Sequence, residues 1–137
     1  MRLFLVRHAE AAPGEPDELR PLTTAGRAAA RALGERLATE RPTLVVSSPL
    51  LRARETAEQI ARAADAPQET DDRLAPGATA DDLKAAVADR GETVVAVGHQ
   101  PDCSVIYLAL AGDDVDFAPG AVRELHLDDV GSTESSN

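Results

Sequence analysis

Leu3-Phe4-Leu5-Val6-Arg7-His8-Ala9-Glu10 opens the chain with four apolar residues that end abruptly in charge. A run this short and apolar at every position is the pattern of a strand buried on both faces, in a parallel sheet flanked by helices. Side chains alternate along a strand, so Arg7 and His8 face one pocket only if the chain leaves the strand near Arg7. That puts the pair at the strand's C-terminal edge, where open α/β sheets bind ligands. A cation beside an imidazole there suits an anion site with a nucleophile. Taken alone, Arg7-His8 is equally a basic dipeptide in a loop.

Working outward, the 137 residues fit one compact domain with a modest core, expected over 1–130, with 131–137 as a polar, disordered tail. Net charge is −10, from 24 acidic and 14 basic residues, which argues against nucleic-acid and anionic-membrane partners. Any anion must be held locally. Lys84 is the lone lysine, an arginine skew that goes with GC-rich coding or a salt-adapted acidic surface. Cys103 is the only cysteine, so neither an intramolecular disulfide nor a cysteine-based zinc site can form. The first apolar run is too short for a signal peptide or a membrane span, and a cytoplasmic location is expected. With no Trp, one Tyr and two Phe, the chain has few platforms for stacking bases.

Ala11 to Pro21 holds three prolines and a glycine and is expected to be a surface loop following the site directly. From there Arg20 is a candidate phosphate ligand, and Glu10, Asp17 and Glu18 are candidate proton donors; a solvated acidic connector is the plain alternative. A Thr at 23 or 24 caps a helix with Ala25, Ala29, Leu33 and Leu37 on its inward face, ended by Pro42. Leu44-Val45-Val46 is a second buried strand, followed by a helix with Ser48 as N-cap and Pro49 at its first position. Its inward residues are Leu50, Ala53, Ala57, Ile60 and Ala64. Arg52 lies one turn into it and Arg54 projects elsewhere, so one of them at most reaches a given ligand.

Pro67 to Thr70 makes a short strand, and a helix starts at Thr79 or Ala80. Glu92 to Gly98 is the clearest buried strand; it runs into His99 and then a helix over Ser104 to Leu110. His99 thus repeats the setting of His8. Ala121 to Leu127 reads as an antiparallel edge strand in which His126 faces outward without a catalytic partner. Strands alternating with helices predict a single-domain, three-layer α/β sandwich, with a mostly parallel sheet and helices on both faces. Right-handed crossovers carry Arg7, His8, Ser48, Arg52 and His99 to one edge. Two guanidiniums, a helix N-terminus and two imidazoles around a point suit a tetrahedral dianion, which points to phosphoryl transfer.

Leu5-Val6-Arg7-His8-Ala9-Glu10, Leu22-Thr23-Thr24-Ala25-Gly26, Ser47-Ser48-Pro49-Leu50-Leu51-Arg52-Ala53-Arg54-Glu55-Thr56-Ala57 and Val97-Gly98-His99-Gln100-Pro101 stand in order along the chain. Together they resemble the motifs of the histidine phosphatase superfamily, whose fold is phosphoglycerate mutase-like. The short length and Arg20-Pro21-Leu22-Thr23 are most similar to the small SixA-type phosphohistidine phosphatases. The resemblance implies that His8 is the nucleophile and forms a phosphohistidine intermediate. It implies that Arg7 and Arg52 bind the phosphoryl oxygens, that His99 completes the pocket, and that Arg20 is the extra arginine of the small subgroup.

That chemistry needs His8 unprotonated and in line, needs the guanidiniums to carry the charge on the oxygens, and suits a cationic His99. It calls for no metal or other cofactor. Between Arg52 and His99 there is no room for a long inserted lid carrying a proton donor. A phosphoramidate leaving group departs with less protonation than an alkoxide, so phosphohistidine in a protein is the expected substrate and inorganic phosphate the product. The alternatives are a small phosphate ester as substrate, a phosphate-binding module without turnover, and, less favoured, a metallohydrolase using His8 and His99.

Overall fold

The computed structural model describes residues 1–128; the proposed boundary at 130 and the tail 131–137 lie outside the described residues. Five strands are ordered β3-β2-β4-β1-β5, with β1 at Arg2–Arg7, β2 at Leu44–Ser47, β3 at Gln68–Thr70, β4 at Thr93–Gly98 and β5 at Val122–His126. The pairs β1·β4, β4·β2 and β2·β3 are parallel, and β5 is antiparallel to β1. The fold is therefore the single-domain α/β sandwich that the alternation of elements predicts.

Alternation along β1 divides the core. Phe4 and Val6 turn to one side, where helix α1 (Thr24–Ala38) and helix α2 (Leu51–Ala64) cover them with Leu33, Leu37, Ala57 and Ile60. Leu3 and Leu5 turn to the other, against Leu83 and Val87 of helix α3 (Ala80–Val87) and Cys103 and Ile106 of helix α4 (Asp102–Ala111). Burial on both faces explains the unbroken apolar runs of β1 and β4. In β5, Val122 and Leu125 face opposite layers because they are three residues apart, while the exposed Glu124 pairs with Arg2. Among the described residues no helix is long and apolar enough to cross a membrane.

Several boundaries differ from the expected ones. Thr23 does cap α1, but the inward face is Gly26, Ala30, Leu33, Gly34 and Leu37, so Ala25 and Ala29 are exposed. The helix turns its smallest residues toward its neighbours because close approach there outweighs the area that alanine methyls would bury. Helix α2 begins at Leu51 with Leu50 at the cap position, rather than at Pro49. Ser48 still serves the helix start, its Oγ accepting the Leu50 N–H at 3.2 Å. Its buried residues include two polar ones, Arg52 and Thr56. Helix α4 starts at Asp102, two residues before the expected Ser104.

Gly26 governs how α1 meets the segment after β1. A Cβ at this position would run into the Glu10 carbonyl, which already accepts the Thr23 N–H at 3.0 Å. Alanine offers about 1 kcal/mol of helix propensity, but forced overpacking costs about 1–3 kcal/mol and backbone cannot swing aside as a side chain would. Gly26→Ala is therefore expected to lower the urea unfolding midpoint. A raised midpoint would show that α1 does not hold this segment.

Candidate active site

The strand order places β4 between β1 and β2, so the three segments leaving these strands are neighbours. The His8 N–H donates to the Gly98 carbonyl and the Ser48 N–H to the Val97 carbonyl, each at 3.0 Å. The rings of His8 and His99 consequently lie with centroids 5.2 Å apart, edge to face. Arg52, in the first turn of α2, is only 7% exposed and reaches toward the same place, whereas Arg54 turns outward and bonds the Pro49 carbonyl.

His8 is half-buried, and its Nδ1 lies 2.7 Å from the Ala9 carbonyl. A carbonyl only accepts, so Nδ1 carries the proton and, in the neutral ring, Nε2 keeps a free lone pair. Burial first, then the charges of Arg52, Arg7 and Arg20, push the His8 pKa down to about 4. At neutral pH the ring is unprotonated and of fixed tautomer, with a lone pair at Nε2.

His99 is buried. Its Nε2 lies 2.8 Å from Ser48 Oγ, which accepts the Leu50 N–H. The arrangement that satisfies all three groups has Ser48 donating its own proton to Nε2, leaving the N–H of His99 on Nδ1. That Nδ1 is buried and has no hydrogen-bond partner among the described residues, and neither has the buried Nε of Arg7. Two orphaned donors are costly unless an acceptor joins them, and a phosphoryl oxygen fits both. Burial, His8 and Arg52 push His99 to about 4, so the ring is neutral here rather than the expected cation.

Arg7 is anchored by Nη1, which donates to the Phe117 carbonyl at 2.9 Å; Gly120 N–H bonds the carbonyls of both Arg7 and His8 at 3.0 Å. Arg52 donates Nη1 to the Asp17 carbonyl at 2.9 Å and pairs Nη2 with Asp17 Oδ2 at 3.2 Å. Arg20 pairs Nη1 with Asp17 Oδ1 at 2.9 Å and donates Nε to the Ala12 carbonyl at 2.8 Å. Asp17 thus ties both arginines together from the loop.

The three carboxylates raised as proton donors fare differently. Hydrogen bonds from Arg20 and then Arg52 hold Asp17 below the ordinary carboxylate range, which favours its ionised form over a proton donor. Glu10 turns to α1, where Oε1 accepts the Thr23 hydroxyl at 2.7 Å. Glu18 is exposed on the same 3-10 turn as Asp17, which spans Asp17–Leu19. His126 is exposed beside Glu124, away from these groups. Among the described residues no group of three or more His, Cys, Asp or Glu is arranged to hold a metal ion.

Sequence motifs alone miss the supports. Thr56 is fully buried, its hydroxyl accepting the Ala9 N–H at 3.0 Å and donating to the Arg52 carbonyl at 2.8 Å. One side chain therefore couples the residue that sets the His8 tautomer to the arginine helix. Thr56 falls within the Ser47 to Ala57 motif and stands among Ala53, Ala57 and Ile60, but nothing in the sequence says what its hydroxyl bonds. The Phe117 carbonyl and the Gly120 amide act through backbone and leave no signal either.

Comparison with known proteins agrees with this geometry. The family model of the histidine phosphatase superfamily (branch 1) matches residues 3–76. The protein histidine phosphatase SixA, solved with tungstate, is 28% identical, superposes with a TM-score of 0.85, and is covered over 91% of its chain by 96% of this one. A protein assigned as the phosphohistidine phosphatase SixA of Agrobacterium tumefaciens is 30% identical with a TM-score of 0.77, over 90% of this chain and 89% of that one. A mycobacterial glucosyl-3-phosphoglycerate phosphatase shares the fold at 22% identity and TM-score 0.73, over 91% and 90%. No curated protein sequence matches significantly.

The depressed histidines make a direct prediction. In an NMR titration the ring resonances of His8 and His99 should stay constant from pH 8 to about 5 and move only near 4. Because the folded state refuses protons that the unfolded rings accept, stability should fall as pH drops from about 6.5 toward 4. Midpoints near 6.5 for both rings would show that the pocket is wetter than described.

Proposed function

Because the chain belongs to the histidine phosphatase superfamily and is a hydrolase with a histidine-based mechanism, we propose that it removes phosphoryl groups from phosphohistidine in a protein, through His8. The observation that supports this most is the pairing of a free Nε2 on His8 with two orphaned buried donors, Arg7 Nε and His99 Nδ1. Nε2 attacks phosphorus while Arg7, Arg52 and His99 take the equatorial oxygens, where charge gathers in the loose transition state. The bond from phosphorus to the leaving atom breaks, and N-phosphorylated His8 results. Water then attacks this intermediate, its proton passes to phosphate or solvent, and His8 returns with inorganic phosphate released. Arg20 contributes through Asp17 and the guanidinium of Arg52, at the rim of the phosphate site.

The substrate follows from what surrounds the pocket. No extended lid stands between α2 and β4, where the chain supplies only β3, a 3-10 turn at Asp72–Leu74, and α3. An open mouth admits a protein side chain, and the ionised Asp17 leaves no assured proton donor for an alkoxide. SixA, the neighbour with the TM-score of 0.85, is a protein histidine phosphatase. A small-molecule phosphomonoesterase is the competing assignment, and a phosphate-binding module without turnover is a third.

One labelling experiment separates all three. Wild type and His8→Ala are incubated with labelled phosphohistidine protein and quenched in alkali, since phosphohistidine is acid-labile. Wild type should carry label and release phosphate, and His8→Ala should do neither, with turnover down by at least about a thousandfold. Faster initial rates on a panel of sugar and nucleotide phosphates would favour the small-molecule assignment, and tight phosphate binding without hydrolysis the binding module.

A further inference from the structure

We propose that Asp17 selects for phosphohistidine by accepting the ring N–H of the phosphorylated imidazole, so that the leaving group departs with a proton it already carries. This rests on the assignment of His8 and of phosphohistidine made above. Asp17 spends one lone pair of Oδ1 on Arg20 and one of Oδ2 on Arg52, at 2.9 and 3.2 Å. Each carboxylate oxygen keeps another, and the side chain remains 55% exposed. The carboxylate is thus held at the guanidinium that borders the phosphate site, with its free edge toward solvent. Its charge reaches the pocket interior, where it acts on His99 against the arginines.

The chemistry differs between leaving groups. In an N-phosphorylated imidazole the second ring nitrogen points away from phosphorus, toward the mouth, and a carboxylate facing it favours the protonated ring. When His8 Nε2 attacks, the electrons of the breaking P–N bond return to that ring, which leaves as neutral imidazole with its distal N–H intact. No proton from the enzyme is consumed. An alkoxide or phenolate has no N–H to offer, and an ionised Asp17 cannot supply its missing proton. The same carboxylate that fails as a general acid is therefore useful for one substrate class.

The test compares wild type with Asp17→Asn on a phosphohistidine protein and on phenyl phosphate, with thermal unfolding as a check that the exposed substitution leaves the fold intact. The ratio of kcat/KM on phosphohistidine to that on phenyl phosphate should fall by about tenfold or more, the scale of a hydrogen bond to a charged group. Equal losses on both substrates would mean that Asp17 only arranges Arg52 and Arg20, and no loss on either would mean it has no part; both overturn the proposal. Wild-type enzyme that hydrolyses phenyl phosphate but not phosphohistidine would instead remove the substrate assignment beneath it.

Discussion

Everything in the site depends on β4 lying between β1 and β2. Parallel strands release their chains at one edge, and this order makes the exits of β1, β4 and β2 immediate neighbours. His8, His99 and Ser48 meet for that reason alone, from positions as much as 91 residues apart in the chain. A slip of one residue along β1 would send Arg7 and His8 to the opposite layers. Arg2 and Arg7, the half-buried charges that bound the buried run Leu3 to Val6, oppose it, since a slip would carry one of them between the helices.

A chain of net charge −10 binds a dianion only by local means. The pocket gathers guanidiniums whose own positions are fixed by backbone carbonyls at Phe117, Asp17 and Ala12. Such anchoring reduces the entropy lost when substrate arrives, since the forks are already aimed. Hydrogen bonds treat the histidines similarly. The Ala9 carbonyl, bonded at Nδ1 of His8, and Ser48, bonded at Nε2 of His99, hold both rings as the same Nδ1–H tautomer but leave opposite nitrogens free. One ring presents a lone pair and the other an N–H, which is the division of labour that attack on phosphorus requires.

Much of this was legible in the residues. Short runs apolar at every position mark β1, β2 and β4, and the ordered motifs mark Arg7, His8, Arg52 and His99 as neighbours. On α1 Leu33 and Leu37 face inward as expected, while Ala25 and Ala29 give way to Gly26 and Ala30, because Gly26 and Gly34 carry no hydrophobic signal yet face inward where close approach is needed. The start of α2 was misplaced because Ser-Pro imitates a cap, while here Ser48 has a second obligation to His99. The bonds made by Thr56, Phe117 and Gly120 are not legible in the sequence, because hydrogen bonds across 47 to 113 residues have no local pattern. The state of Asp17 depends on two arginines that only the folded loop brings to it.

The central claim is that four side chains from separate segments enclose a single phosphoryl group, and a crystal structure with vanadate tests it most directly. Vanadium should sit within bonding distance of His8 Nε2, with its equatorial oxygens on Arg7 Nε, Arg52 and His99 Nδ1. Vanadate bound through His8 Nδ1, or held elsewhere with those two orphaned donors still unpaired, would contradict the account.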